Sequence, residues 1–197
     1  IFWGKSMGDD RVVEPYFDLP YVHTESDWGM REIKIGGESG GSYRWDPPLK
    51  NYQDMDKLHF PQIVVDYEAT QQLFSQAQEI MGDILEVRIK GVWWWTLGMT
   101  QILINLRGLE QIMYDVYDHP RELHQLMAFL RDGTLNKLNF LEENNLLSLN
   151  NNGTYVGSGG FGYTNELPQP DFSGKVRTKD MWGFAESQET VGFSPQL

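Results

Sequence analysis

Gly82-Asp83-Ile84-Leu85-Glu86-Val87-Arg88-Ile89 is the stretch that decides the fold. Before it, Ala69, Leu73, Ala77, Ile80 and Met81 recur at helical spacing and predict a helix over 67–81. Asp66 is its expected cap and Gly82 its C′ stop, so the chain passes from a helix straight into an apolar strand. Upstream, Pro61-Gln62-Ile63-Val64-Val65 is a short extended segment. Strand, helix and strand in that order form the repeating step of an α/β fold.

Working downstream, Gly91-Val92-Trp93-Trp94-Trp95-Thr96 leaves the strand, and two helical patterns follow. Leu109, Ile112, Met113 and Val116 line the first. The second opens at Pro120, a favoured first-turn residue, and carries Leu123, Met127, Leu130, Leu138 and Leu141 as far as Asn144-Asn145, with Gly133 interrupting it. Leu146-Leu147-Ser148-Leu149 is expected to be the next strand, with Asn150, Asn151 and Asn152 at its carboxyl end. Residues 153–178 are rich in Gly, Pro and Asp without a period and read as a long insertion. Asp180-Met181-Trp182-Gly183-Phe184-Ala185 is expected to return to a strand leading into Glu186-Ser187-Gln188-Glu189.

Working upstream, Arg31–Ile35 alternates polar and apolar residues, Gly36–Gly41 can turn, and Ser42–Trp45 can return. That predicts a β-hairpin decorating the fold. Residues 1–29 show no clear period. No repeat and no dividing linker is visible, so 1–197 reads as a single domain. The expected fold class is α/β: an incomplete (β/α)8 TIM-type barrel with an added N-terminal β-hairpin. The 197 residues fall short of the roughly 250 of a complete barrel. The chain opens at Ile1 and stops at Ser194-Pro195-Gln196-Leu197, which resembles a helix start, so both ends are expected to be cut.

Composition narrows the function classes. Hydrophobic residues make up 40% and charged residues 22%, a globular balance. A net charge of −12 argues against nucleic acid, which needs clustered Lys and Arg, and against anionic membrane surfaces. There is no Cys, so disulfides and thiolate metal sites are excluded within this piece, and a reducing, cytoplasmic setting is expected. The apolar run at Val92–Trp95 is far too short to cross a bilayer.

In a β/α barrel the chemistry sits at the carboxyl ends of the strands. Three such ends are expected: Trp93–Thr96, Asn150–Asn152 and Glu186–Glu189. Glu186 and Glu189 are the candidate catalytic carboxylates, able to act as acid and base; one inward and one outward Glu, or a helix cap, is the plainer alternative. Trp93, Trp94 and Trp95 form a candidate wall for a flat ligand or a sugar, with aromatic core packing as the alternative. Asn150 is a candidate substrate-binding group. His23-Thr24-Glu25 lacks the Cys ligands a zinc deaminase site needs, so no metal ligand is assigned. Gly157–Gly162 matches neither the P-loop nor a dinucleotide fingerprint and reads as a flexible lid.

Two stretches carry a family resemblance. One is Arg107-Gly108-Leu109-Glu110, continuing through Tyr114-Asp115-Val116-Tyr117-Asp118-His119-Pro120 and Leu123-His124-Gln125-Leu126. The other is Phe184-Ala185-Glu186-Ser187 with Gly192-Phe193-Ser194-Pro195-Gln196-Leu197. Together they resemble the uroporphyrinogen decarboxylase family, whose relatives include the methyltransferases that serve corrinoid proteins. The resemblance covers about 50–145 and 180–197. It implies that Tyr117 and Ser187 line a substrate cleft. It also implies a small-molecule substrate, with zinc and a partner-borne corrinoid as cofactors of a methyl-transferring parent and none within this piece. The family's arginine-rich N-terminal segment has no match, and Phe17-Asp18-Leu19 only faintly echoes its Phe-Ser-Asp pattern. A highly anionic porphyrinogen needs cationic partners, so the charge balance favours methyl transfer linked to a corrinoid protein over porphyrinogen decarboxylation. A barrel glycosidase using a Glu pair and a fragment inactive by itself are the other readings. Open sheet edges predict self-association.

Overall fold

The computed structural model describes residues 5–6, 14–37, 43–94, 96–155, 161–163 and 165–183. Its strands in chain order are β1 (Tyr16–Leu19), β2 (His23–Glu25), β3 (Ile33–Gly36), β4 (Tyr43–Asp46), β5 (Ile63–Val65), β6 (Glu86–Ile89), β7 (Asn152–Tyr155) and β8 (Phe161–Tyr163). The α-helices are α1 (Tyr67–Met81), α2 (Thr100–Arg107), α3 (Leu109–Asp118) and α4 (Pro120–Glu143). The architecture is mixed α/β. The strands pair two by two, and no closed barrel forms among the described residues. The chain divides into two compact units. The first holds Ile1–Thr24, Val64–Trp95 and Asn145–Trp182; the second holds Glu25–Ile63, Thr96–Asn144 and Gly183–Leu197.

In the first unit α1 begins where the Asp66 carboxylate accepts from the Ala69 amide at 2.8 Å, a side-chain N-cap. It ends at Gly82, but not in the left-handed conformation expected of a C′ glycine: φ is −67°. A Cβ there would lie 2.4 Å from the Gln78 carbonyl, so close approach rather than backbone handedness favours glycine. Leu73, Phe74, Ala77 and Met81 pack against Phe17, Leu19 and Val87. That apolar seam holds β1 parallel to β6, with Phe17 opposite Val87 and Asp18 opposite Arg88. Parallel strands require a crossover connection, and α1 is part of it.

Two expected strands are replaced. Residues 146–149 are irregular. The Trp93 indole N–H donates to the Leu146 carbonyl at 2.8 Å, and the Gly91 amide donates to Ser148 Oγ at 2.9 Å. Side chains and single amides occupy the groups that a strand ladder would have used. The described part of 180–185 is the end of a 3₁₀ turn, Thr178–Asp180, followed by irregular backbone. Within the expected insertion, β7 and β8 pair antiparallel.

In the second unit the predicted hairpin forms, with β3 antiparallel to β4 and Ile33 opposite Asp46. The helices at 109–118 and 120–143 also form. The α2 helix was not expected, because Ile102-Leu103-Ile104 is an unbroken apolar run that hides helical spacing. Leu103, Ile104, Leu106, Ile112, Leu126 and Leu130 make the core with Leu49 and Leu58. Gly108 breaks α2 from α3 at φ +88°, where a Cβ would meet Pro47 at 2.7 Å. No helix among the described residues is long and apolar enough to cross a membrane.

Candidate functional site at the carboxyl end of a parallel strand pair

Phe17, Leu19 and Val87 face α1, so strand alternation turns Asp18 and Arg88 to the opposite face. There the Arg88 guanidinium grips the Asp18 carboxylate at 2.5 and 3.3 Å and lies 3.6 Å over the Tyr16 ring. Lys90, one residue beyond β6, is buried, places its amine 3.4 Å from Asp18 and donates its amide to the Leu19 carbonyl. Burial pushes the Asp18 carboxyl up, but the Arg88 hydrogen bond and the Lys90 and Arg88 charges outweigh it and hold the group below its ordinary range. Asp18 is therefore an anion at neutral pH, shared by two cations.

Beyond Lys90 the chain turns through Gly91, where a Cβ would clash with the Leu146 carbonyl at 2.2 Å. Trp93 is buried at 8% exposure, stacks on Tyr21 at 5.6 Å and tilts against His23 at 4.7 Å. Its neighbour Trp94 is half-buried and Val92 is exposed. Trp95 lies outside the described residues. The aromatic group is thus Trp93 with Tyr21 and His23, drawn from two distant stretches of sequence.

Asn150 is buried, and both ends of its amide are used: Nδ2 donates to the Trp182 carbonyl at 2.8 Å and Oδ1 accepts from the Trp182 amide at 2.9 Å. The turn that presents Trp182 is clamped by Asp180, fully buried, which accepts from the Gln169 and Arg177 amides and from the Arg177 guanidinium at 2.7 Å. The Arg177 hydrogen bond is the main reason the Asp180 carboxyl titrates below its ordinary range. Asn150 thereby fixes the Trp182 turn rather than presenting an open amide. Glu186, Ser187 and Glu189 lie outside the described residues.

In the second unit, the motif residues Arg107 and Asp115 form a buried ion pair. Arg107 Nε and Nη2 donate to Asp115 at 2.6 and 2.9 Å, Nη1 donates to the Leu49 and Lys50 carbonyls, and Tyr52 Oη donates to Asp115 at 2.6 Å. Burial and the Asp115 hydrogen bond together push the Tyr52 phenol well above its ordinary range. The Arg107-Gly108-Leu109 motif is therefore a structural lock between α2, α3 and the segment before Tyr52. Tyr117, on the last turn of α3, is 90% exposed.

Sequence reasoning missed Asp18, Arg88 and Lys90. The signal was present in Arg88-Ile89-Lys90, whose alternation puts both cations on one face, but Asp18 sits in a stretch without a period. No His, Asp and Glu cluster able to hold a metal occurs among the described residues. No family model matches the chain, and neither a curated protein nor a solved structure is significantly similar to it.

Proposed function

We propose that this chain is part of a (β/α)8-barrel enzyme of the uroporphyrinogen decarboxylase family, catalysing methyl transfer linked to a corrinoid protein. The observation that supports it most is the β1–β6 pair: parallel, backed by α1, with Asp18, Arg88 and Lys90 on the face away from the helix. A barrel turns that strand face inward and reacts substrates at the carboxyl ends. The Arg107–Asp115 lock adds a reason for the family-like motif to occur as a set.

In this reading Lys90 and Asp18 orient the substrate at the strand end, Trp93, Trp94 and Trp95 wall the cleft, and Asn150 positions the adjoining loop. Glu186 and Glu189 keep the acid–base role that their expected place after a strand suggests, and Ser187 the substrate contact that the resemblance implies; all three lie outside the described residues. Arg88 and Lys90 both already pair with Asp18, so this face offers few uncommitted cations for a porphyrinogen bearing many carboxylates. A partner-borne corrinoid would accept the methyl group. Zinc has no ligand set among the described residues, and no step here is routed through it. The described residues of the proposed site, Asp18, Arg88, Lys90, Trp93, Trp94 and Asn150, lie in the first unit, and Tyr117 belongs to the second.

The test is to assay the full-length protein with a corrinoid acceptor and methylated donors, and in parallel with uroporphyrinogen. Methylation of the corrinoid that falls at least tenfold in Lys90→Met supports the reading. Decarboxylation of the porphyrinogen with no demethylation overturns it.

A further inference from the structure

Residues 167–182 form a loop of the first unit whose two ends are fastened by consecutive side chains. Asn151 Nδ2 donates to the Leu167 carbonyl, and Asn150 bonds the Trp182 carbonyl and amide at 2.8 and 2.9 Å. Between those ends the loop is braced by its own charges. Arg177 donates to Asp171 through Nη1 and Nη2, both at 2.9 Å, and to Asp180 through Nε at 2.7 Å. Asp180 also accepts from the Gln169 and Arg177 amides, each at 3.1 Å. Bonds to charged groups are about twice as strong as neutral ones, and Asp180 is fully buried, out of reach of screening salt. No apolar side chain of 167–182 is buried. A segment that buries no apolar surface opens at lower free energy than the core around it. Its weakest boundary is the neutral fastening at Asn150 and Asn151, not the charged brace inside it.

The fastening reaches the strand end that carries Lys90. Two residues before Asn150, Ser148 Oγ accepts from the amide of Gly91, the residue directly after Lys90, at 2.9 Å. Further back, the Leu146 carbonyl holds the Trp93 indole at 2.8 Å. Leu146 and Leu147 are buried, whereas Ser148 and Leu149 are half-buried. Leu146 and Leu147 are thus the fixed point of this irregular segment, and Ser148 lies on the part between that point and the loop.

We infer that residues 167–182 are a latch that opens as one braced body at the Asn150 and Asn151 fastening, and that its opening releases the Gly91 amide from Ser148 while the Trp93–Leu146 bond holds. Closed, the latch keeps the turn after Lys90 fixed; open, it lets that turn move. For the enzyme proposed above, on whose reading this consequence rests, the two states give the Lys90 site a held form and a loosened form for exchange of substrate.

Hydrogen exchange on the full 197-residue chain, read at single amides by NMR, tests the latch without any substrate. A failed methyl-transfer assay would therefore leave the latch standing, and a failed latch would leave the assay meaningful. In the unmodified chain the Trp182 and Gly91 amides should share one protection factor. It should lie at least tenfold below those of Gln169 and Arg177 inside the loop, and of Lys90, whose amide bonds the Leu19 carbonyl. Asn150→Ala should accelerate Trp182 and Gly91 at least tenfold and leave Gln169, Arg177 and Lys90 within about twofold. Asp180→Asn should instead accelerate Gln169 and Arg177. Exchange of Gln169 and Arg177 in step with Trp182 would show a loop that unravels and would overturn the latch. Gly91 keeping its protection where Trp182 loses it would overturn the link to Lys90. The comparison within the unmodified chain decides both points even where a variant fails to fold.

Discussion

Replacing Asp115 by Asn removes one charge and almost no volume from the Arg107–Asp115–Tyr52 cluster. Asp115 is completely buried and Arg107 is 5% exposed, so neither can turn to water when its partner is lost. The carboxylate accepts four hydrogen bonds, two from Arg107, one from Tyr52 at 2.6 Å and one from Gln111 at 3.0 Å. An Asn side chain keeps one acceptor oxygen but presents N–H groups to at least one of those donors, and it leaves the guanidinium, still bonded to the Leu49 and Lys50 carbonyls, without a counter-charge. Breaking a buried pair by removing one partner costs about 3–5 kcal/mol. That is a large share of the roughly 5–15 kcal/mol stability of a domain. The assay is urea denaturation followed by tryptophan fluorescence, comparing midpoints at constant slope. Arg107→Met combined with Asp115→Leu, which removes both charges, should recover most of the loss, because the penalty arises from the orphaned ion. A loss below about 1 kcal/mol in Asp115→Asn, or a double variant as unstable as the sum of the single ones, would refute the reasoning.

The same carboxylate makes stability depend on pH. Burial raises the Asp115 value, but hydrogen bonds from Arg107, Tyr52 and Gln111 prevail and the folded value is lowered. Its contribution is therefore complete above the ordinary value of about 3.9 and is lost as pH falls through the lower folded value. The stability gap between the unmodified chain and Asp115→Asn should hold constant near neutrality and narrow only in acid. Gly108→Ala should cost more than about 1 kcal/mol, through its positive φ and the Pro47 contact, whereas Gly174→Ala, also at positive φ but with nothing within 4 Å, should cost less; equal midpoints would contradict this. Trp93→Phe should lose about 1–3 kcal/mol by orphaning the Leu146 carbonyl, with earlier hydrogen exchange at Gly91 and Leu147 as the local signature.

Much of the skeleton was legible because local chemistry is written locally. Asp66 before Ala69, Pro120 opening a periodic run, and the alternation of Arg31–Ile35 each placed an element correctly. The failures share a cause. Leu146-Leu147-Ser148-Leu149 has the composition of a strand, yet a strand also needs a ladder partner, and instead the Trp93 indole bonds the Leu146 carbonyl while the Gly91 amide bonds the Ser148 hydroxyl. Ile102-Leu103-Ile104 is apolar on every side, so only burial within the second unit revealed it as helix.

The candidate site divides in the same way. By itself the sequence determined the α/β succession, the Asp66 cap of α1, the acidic charge balance, the lack of Cys in these 197 residues, and the tryptophans that follow β6. Tertiary structure alone decided that Asp18 meets Arg88, 70 positions away, and Lys90 just beyond it, that Trp93 stacks on Tyr21, and that Asn150 clasps the Trp182 backbone. It also decided that Arg107 and Asp115 of the family-like motif act as a lock. The reason is physical: caps and periodicity depend on neighbours a few residues apart, whereas a charge cluster at a strand end exists only once parallel pairing has set the register.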